Sequence, residues 1–398
     1  MNGAMRDRAN IDVAVFADGT RTYGIEKVLL SHYIASRDKD YGLNFRYVCL
    51  QRGPLYEHLR EANADVYVIE EKVPYTYPPN IAKLCGILLS HFWSSVRIFR
   101  HIRSYLKETR PDLVYTHEVT FQIIAGVAAK SCGIKSVGHF HRLLNKKHYW
   151  GLSRILLCLV LNACLDMGIA ISNAVRESLW GQMRAKTRCL YNSIDVEFIR
   201  RRAEQLSSSG NCLKADVVSV GRLVTIKKYE ILIEALSILA QEGLHPKLAI
   251  VGGPADQTNS YYLRLKDQVA GLGLSDYVFF TDYVPEPYGI IANADASVLC
   301  CTNEGFGLVV LESMACRTAV IVADAGGPTE LVEHDKDGLK FSDDNPAELA
   351  KCLRMLLLDK SRAHRLADQA YKKAAKDFDI DSHMRSLNRN FLAVLGRY

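Results

Sequence analysis

The chain has 398 residues, 48% of them hydrophobic and 24% charged, with a net charge of +6, which is long and apolar enough for two domains with substantial cores. Its 11 cysteines include no Cys-x-x-Cys pair and sit in apolar stretches, as at Cys158 and Cys300-Cys301; they read as reduced core thiols, which argues against a disulfide framework and for a cytoplasmic setting. The first residues lack the apolar core of a secretory leader and no uncharged run reaches the ~18 residues of a spanning helix, so neither secretion nor a transmembrane span is expected.

In chain order, short apolar runs at Ile11 to Ala17, Phe45 to Leu50, Val66 to Ile69, Leu113 to His117, Ser136 to Phe140, Met167 to Ile171 and Arg188 to Tyr191 read as strands. Helical stretches separate them, and the alternation predicts a parallel sheet with crossover helices. The first strand runs into Asp18-Gly19-Thr20-Arg21-Thr22-Tyr23-Gly24-Ile25-Glu26, which is either a ligand loop opening a helix or a plain tight turn.

Positive charge is concentrated in this half. Residues 1–195 hold 26 basic against 17 acidic side chains, a net of +9, and the remainder holds 24 against 27, a net of −3. Lys72 to Lys107 and Val119 to Leu165 contain no acidic residue. In the first of these, Leu88, Phe92, Val96, Phe99, Ile102 and Leu106 recur at helical spacing beside Arg97, Arg100, Arg103 and Lys107. The second carries Arg142, Lys146, Lys147, His148, Tyr149 and Trp150 ahead of the apolar run Ile155 to Leu161. Two readings compete: helices packed on the sheet with solvated basic flanks, or a basic aromatic surface suited to anionic lipid head groups. The second makes an anionic membrane surface a partner, with the protein peripheral on its cytoplasmic face.

Histidines close two successive strands, in Tyr115-Thr116-His117-Glu118 and Gly138-His139-Phe140-His141-Arg142. A lone strand-end histidine is more often structural. Two on the edge where parallel sheets bind ligands suit a hydroxyl-bearing substrate. His117, His139 and His141 together would offer a three-imidazole zinc site, yet alternation along one strand gives the His139 and His141 pair no required third partner, and no metal is expected.

Residues 196–214, with Arg200-Arg201-Arg202 and Ser207-Ser208-Ser209-Gly210, are polar and low in complexity. They read as a linker between a first domain, 1–195, and a second, 215–378. The second opens with the strand Val217 to Val220, which ends in Gly221-Arg222; Lys227 then begins a helix through Ile231, Leu232, Ile233 and Leu236. Ala296 to Cys301 is another buried strand, followed by Glu304-Gly305-Phe306-Gly307-Leu308-Val309-Val310-Leu311-Glu312. Here two carboxylates flank a glycine-rich turn that opens a helix. Gly305 and Gly307 let the backbone approach a ligand, the N–H groups of Leu308 and Val309 point at an incoming anion, and Glu312, one turn on, can accept from sugar hydroxyls. Arg222 and Lys227 would neutralise a departing diphosphate. After the strand Ala319 to Val322, Gly326-Gly327-Pro328-Thr329-Glu330 makes a further glycine turn at the same edge. The expected ligand carries phosphates and hydroxyls together. Residues 379–398 form a last helix with Met384, Leu387, Phe391 and Leu395 as its apolar stripe.

Gly221-Arg222 with Lys227, Glu304-Gly305-Phe306-Gly307 with Glu312, and Gly326 to Val332 resemble, in order and spacing, the C-terminal half of the retaining family-4 glycosyltransferases of the GT-B fold. The resemblance is strong over about residues 212 to 342 and looser before them. It implies an α/β protein of two Rossmann-like, doubly wound parallel-sheet domains facing a deep cleft, with the last helix returning to the first domain. It places Arg222 and Lys227 on the donor diphosphate, Glu312 on the nucleotide ribose and Glu304 on the transferred sugar, with Gly305, Phe306, Gly307, Leu308 and Val309 around the donor. The loop from Gly19 to Gly24 resembles the family's glycine loop over the donor phosphates, although Tyr23 replaces its first glycine. His141 resembles the strand-end histidine that contacts the transferred sugar; His117, Glu118 and Gly19 are further candidates for sugar or acceptor contact.

Other chemistries find less support. The Asp-x-Asp pairs at Asp38, Asp335 and Asp377 to Asp381 read as solvated charge, no Gly-x-x-x-x-Gly-Lys-Ser/Thr loop occurs, and Gly305-x-Gly307 lacks the third glycine of a dinucleotide fingerprint. The expectation is a retaining hexosyltransferase that needs no metal or cofactor. It would move sugar from a nucleotide-sugar, with UDP favoured by family frequency, to a saccharide or lipid-linked saccharide acceptor in surface polysaccharide or lipopolysaccharide assembly, with domain closure aligning the substrates; no nucleic-acid partner is expected. A nucleotide-sugar epimerase of the same shape and a GDP-mannose-dependent mannosyltransferase are the alternatives.

Overall fold

The computed structural model describes residues 10–19, 24–71, 81–144, 152–208, 212–254, 256 and 258–397, with backbone only for 81–92 and 152. Thr20 to Tyr23, Lys146 to Trp150, Ser209 and Gly210, and the side chains of Leu88 and Phe92 lie outside the described residues. The chain divides into two compact units, one of residues 1–191 with 380–398 and one of residues 192–379.

Unit 1 holds seven strands: β1 (Ile11–Ala17), β2 (Leu43–Cys49), β3 (Val66–Val68), β4 (Leu113–Thr116), β5 (Lys135–Phe140), β6 (Met167–Ala170) and β7 (Thr187–Cys189). All pair in parallel, in the order β3-β2-β1-β4-β5-β6-β7. The central strands are buried on both faces, as parallel sheets require, and for that reason they read as continuous apolar runs. One face packs Val13, Val15, Tyr47 and Tyr115 against Met384, Leu387 and Phe391 of the helix Ile380–Leu395. The other packs Phe16 and Val114 against Ile98, Ile102 and Leu106 of the helix Ile81–Thr109. Of the stripe that the spacing predicts, Ile102 and Leu106 are buried, together with Ile98. Val96 and Phe99 remain part-exposed and, with Arg100, Arg103, Ser104 and Lys107, line a surface groove of about 550 Å³. No helix among the described residues is long and apolar enough to cross a membrane.

Unit 2 holds β8 (Val217–Val220), β9 (Leu248–Val251), β10 (Val278–Thr281), β11 (Ala296–Leu299), β12 (Ala319–Ala323) and β13 (Leu339–Phe341). They form a second all-parallel sheet in the order β10-β9-β8-β11-β12-β13. The polar stretch expected as a linker is instead largely helix, Val196–Ser208, and belongs to unit 2. Val196, Ile199 and Ala203 form its buried stripe, Asp195 caps it by accepting the Phe198 amide at 2.9 Å, and Arg202 pairs with Glu286. The three successive arginines obscured a spacing of three and four residues.

Two of the Asp-x-Asp segments are also more than solvated charge. Asp337 is 4% exposed, accepts the Glu333 amide at 2.7 Å and pairs with Lys373 at 2.8 Å. Asp381 is bonded by Lys39 and Tyr41 and ties the last helix into unit 1.

Candidate functional site

Each sheet reverses its direction of winding at one pair of neighbouring strands, β1 and β4 in unit 1 and β8 and β11 in unit 2. Loops beyond the C-terminal ends of such a pair splay apart and leave a crevice, which is where open α/β sheets bind ligands. Most of the sequence-predicted residues gather at these two places, and His141 lies at the end of the next strand, β5.

In unit 2, Arg222 follows β8, and Lys227 ends a single 3-10 turn, Thr225–Lys227, before the helix Tyr229–Gln241. Lys227 thus lies two residues ahead of the helix it was expected to begin. Tyr229 anchors the loop: its hydroxyl donates to the Gly221 carbonyl at 2.8 Å. Glu304 follows β11, and its carboxylate accepts from Lys227 Nζ at 2.6 Å, with the two side chains 27% and 16% exposed. Burial alone would lower the Lys227 pKa, but the Glu304 carboxylate beside it holds it above the usual lysine value. Gly307 caps the helix Leu308–Ala315 with φ of 96°, so the amides of Leu308 and Val309 begin that helix, and Glu312 lies within it, 7% exposed. Phe306 is placed differently from the expectation. Its side chain is 2% exposed and meets Phe378 edge-on at 6.2 Å, so it packs in the core and only its backbone is available to a donor. The Gly326-Gly327 turn lies against this loop, with Gly327 N donating to the Glu304 carbonyl at 2.9 Å. A Cβ on Gly327 would stand 2.1 Å from the Gly305 oxygen, so only glycine permits the approach.

In unit 1, Asp18 and Gly19 follow β1, and His117 and Glu118 follow β4. Gly19 has φ of 91° and is pressed against the Gln51 carbonyl, while its own carbonyl accepts the Leu55 amide. Its conformation is therefore explained by packing. Gly24 begins the helix Gly24–Asp38. Glu118 reaches the Asp18 amide at 3.5 Å, its Oε2 is buried with no hydrogen-bond partner, and burial with Glu26 nearby raises its pKa to about 8.

His141, just past β5, joins His117 across the strand ends, with His117 Nδ1 and His141 Nε2 2.9 Å apart. His139 lies against both with its ring tilted, centroids 5.2 and 4.2 Å away. Tyr115 Oη lies 2.5 Å from His139 Nδ1, and Gln122 donates to the His139 carbonyl at 2.9 Å. His117 is 3% and His139 0% exposed, and His141 is the part-exposed member. Burial holds His117 and His139 well below the ordinary histidine pKa, and burial with Arg142 holds His141 at about 3. One ring nitrogen of each of the three lies within 4.8 Å of the others. The third imidazole that alternation along β5 does not supply comes from the neighbouring strand. Tyr115 was not singled out in the sequence, although its place two residues before His117 puts it on the same face.

Both halves of the chain match known families. Residues 209–373 match the model of "Glycosyl transferases group 1", and residues 54–198 match that of "Glycosyltransferase Family 4". The D-inositol 3-phosphate glycosyltransferase of Thermobispora bispora is 34% identical over 167 residues, 39% of this chain, and the match spans only 38% of that protein's own length. Its counterpart in Salinispora tropica is 26% identical over 384 residues, covering 83% of this chain and 77% of that protein. Among solved structures, HepE of Anabaena in complex with UDP-glucose is similar with a TM-score of 0.75, at 21% identity over 96% of this chain and all of that one.

Proposed function

Because the chain belongs to the family-4 glycosyltransferases of the GT-B fold, we propose that it is a retaining hexosyltransferase that uses a nucleotide-sugar donor, UDP-linked by preference. The observation that carries the reading is the Lys227 and Glu304 pair at the β8 and β11 strand ends, beside Arg222 and the start of the helix Leu308–Ala315. A cation, a carboxylate and helix amides at one crevice match a ligand whose phosphate and sugar are joined. The UDP-glucose bound by HepE supports the choice of donor.

In this reading Lys227 and Arg222 hold the diphosphate, and Glu312 accepts from the ribose hydroxyls. Glu304, released from Lys227 as the phosphates arrive, accepts from hydroxyls of the transferred sugar. The bond from sugar C1 to the phosphate oxygen breaks with its electron pair going to that oxygen, where Lys227 and Arg222 stabilise the growing charge. The acceptor hydroxyl bonds to C1 on the same face and gives its proton to the departing phosphate oxygen. By the family resemblance, His141 is assigned a hydrogen bond to the sugar, and unit 1 the binding of a saccharide or lipid-linked saccharide acceptor. The side chains named for diphosphate binding are themselves cations, so the transfer step is proposed to proceed without a metal at the diphosphate.

A thermal-shift panel of UDP-, GDP- and ADP-sugars, GDP-mannose included, is expected to give the largest stabilisation with a UDP-sugar, since a ligand bound only by the folded state raises stability by mass action. NMR of the fresh product should show the donor's anomeric configuration retained; inversion would contradict the mechanism, and conversion of a nucleotide-sugar with no acceptor present would indicate an epimerase.

The groove bordered by Val96, Phe99, Arg100, Arg103 and Lys107 supports a membrane-surface role in the same proposal, because it joins apolar surface to cations on an acid-free stretch. The protein is expected to co-sediment with vesicles rich in anionic lipid at low salt and to be released at high salt, as screening requires. Equal recovery with neutral vesicles would count against it.

A further inference from the structure

We propose that His117, His139 and His141 form a binding site for one borderline divalent transition-metal ion, of which Zn²⁺ is the natural occupant. One ring nitrogen from each lies within 4.8 Å of the other two. Four-coordinate zinc with bonds of roughly 2.0–2.1 Å holds its imidazole nitrogens about 3.4 Å apart. Two of these nitrogens, His117 Nδ1 and His141 Nε2, stand 2.9 Å apart, so the spacing of the cluster is on the scale that zinc requires.

The hydrogen bonding around the rings makes the same demand. Nε2 of His139, the nitrogen opposite Tyr115, is buried without a hydrogen-bond partner, and buried polar atoms of native proteins ordinarily have one. On the other side of the ring, Tyr115 occupies Nδ1 of His139 at 2.5 Å and Gln122 fastens its carbonyl at 2.9 Å. A metal-bound histidine is typically held in this way, its second nitrogen engaged by an oxygen that sets the ring's orientation and tautomer. Three imidazoles and no thiolate favour zinc or its neighbours over the hard cations, which prefer oxygen.

Three protein ligands leave the fourth position open to water or a hydroxyl-bearing ligand; of the three, His141 is the part-exposed one. Each imidazole coordinates through one nitrogen, so the other nitrogen of His141 stays available for the sugar contact proposed above. The site lies wholly in unit 1 and does not depend on the transferase reading.

The test uses full-length protein without a polyhistidine tag, stripped with a chelator and titrated with Zn²⁺ against a chromophoric competitor, alongside Co²⁺ as a spectroscopic probe. One saturable equivalent per chain is expected, with visible bands of four-coordinate Co²⁺. His117→Ala and His139→Ala should abolish that equivalent, Tyr115→Phe should weaken it by about 10–100-fold, and His245→Ala, at an exposed position in unit 2, should leave it unchanged. Absence of saturable uptake by the wild-type chain overturns the proposal, and so does full uptake by a natively folded His117→Ala, His139→Ala double variant. Should those variants fail to fold, the wild-type Co²⁺ spectrum decides: four-coordinate nitrogen ligation supports the site, and the spectrum of hydrated Co²⁺ refutes it.

Discussion

Lys227→Ala is expected to lower kcat by about 10²–10³-fold, the usual loss when one preorganised group facing a developing negative charge is removed. The diphosphate is charged in the ground state and gains further charge as the sugar leaves, so the loss should fall more on kcat than on KM. Lys227→Arg keeps the charge but replaces a compact ammonium with a broad planar fork, and should recover only part of the rate. The adjacent lysine is the internal control. Lys228 lies in a left-handed conformation and turns to Asp343 and Asp344, each 2.8 Å away. Its loss should change kcat less than about twofold, since exposed ion pairs of this kind contribute little. Initial-rate kinetics with a saturating acceptor and a varied donor would separate the two lysines. Equal effects at both would remove Lys227 from the chemistry.

Gly327→Ala should be strongly damaging for so small a substitution. Gly327 has φ −64° and ψ −35°, angles that alanine adopts readily, so the defect would be one of space. The new methyl would meet the Gly305 oxygen at 2.1 Å and its carbon at 2.5 Å, and a backbone cannot yield by changing rotamer. The Glu304-Gly305 loop must move away, which breaks the 2.9 Å bond from Gly327 N to the Glu304 carbonyl and displaces the carboxylate beside Lys227. Overpacking of this kind costs about 1–3 kcal/mol, or roughly 2–4 °C in Tm per kcal/mol for a unit of this size. Donor affinity should fall at least tenfold, on the order of 1.4 kcal/mol. Gly271→Ala makes the same change where no atom lies within 4 Å, at the end of the helix Ser260–Gly271. There alanine should stabilise slightly, by about 0.4–1 kcal/mol. Differential scanning calorimetry and donor titration of both variants would test the contrast, and wild-type donor affinity in Gly327→Ala would refute the coupling between the two loops.

Much of the unit 2 site could be read in advance because its elements are contiguous in sequence. The run from Ala296 to Glu312 contains a strand, a turn and a helix start in order, and the positions of Arg222 and Lys227 follow from the short strand ahead of them. The expectations that changed depend on distant residues. The fate of Phe306 was decided by Phe378, and the need for glycine at 327 by the Gly305 oxygen. Strand alternation gave the pair His139 and His141 but could not give His117, because strand order within a sheet is a tertiary property. The helix Val196–Ser208 was missed for another reason. Its three arginines and terminal serines dominate the composition, whereas only Val196, Ile199 and Ala203 turn inward.

The last helix, Ile380–Leu395, closes the first unit from the far end of the chain, with Phe391 meeting Tyr115 at 5.0 Å and Asn388 donating to the Tyr41 carbonyl at 2.7 Å. Vectorial synthesis therefore delivers the first unit incomplete. All of residues 192–379 must leave the ribosome before Met384, Leu387 and Phe391 can cover its open apolar side. The nascent amino-terminal portion waits half-finished while its neighbour can already fold. A chain terminated just before Ile380 is consequently expected to lose the packing of residues 1–191 rather than that of residues 192–379.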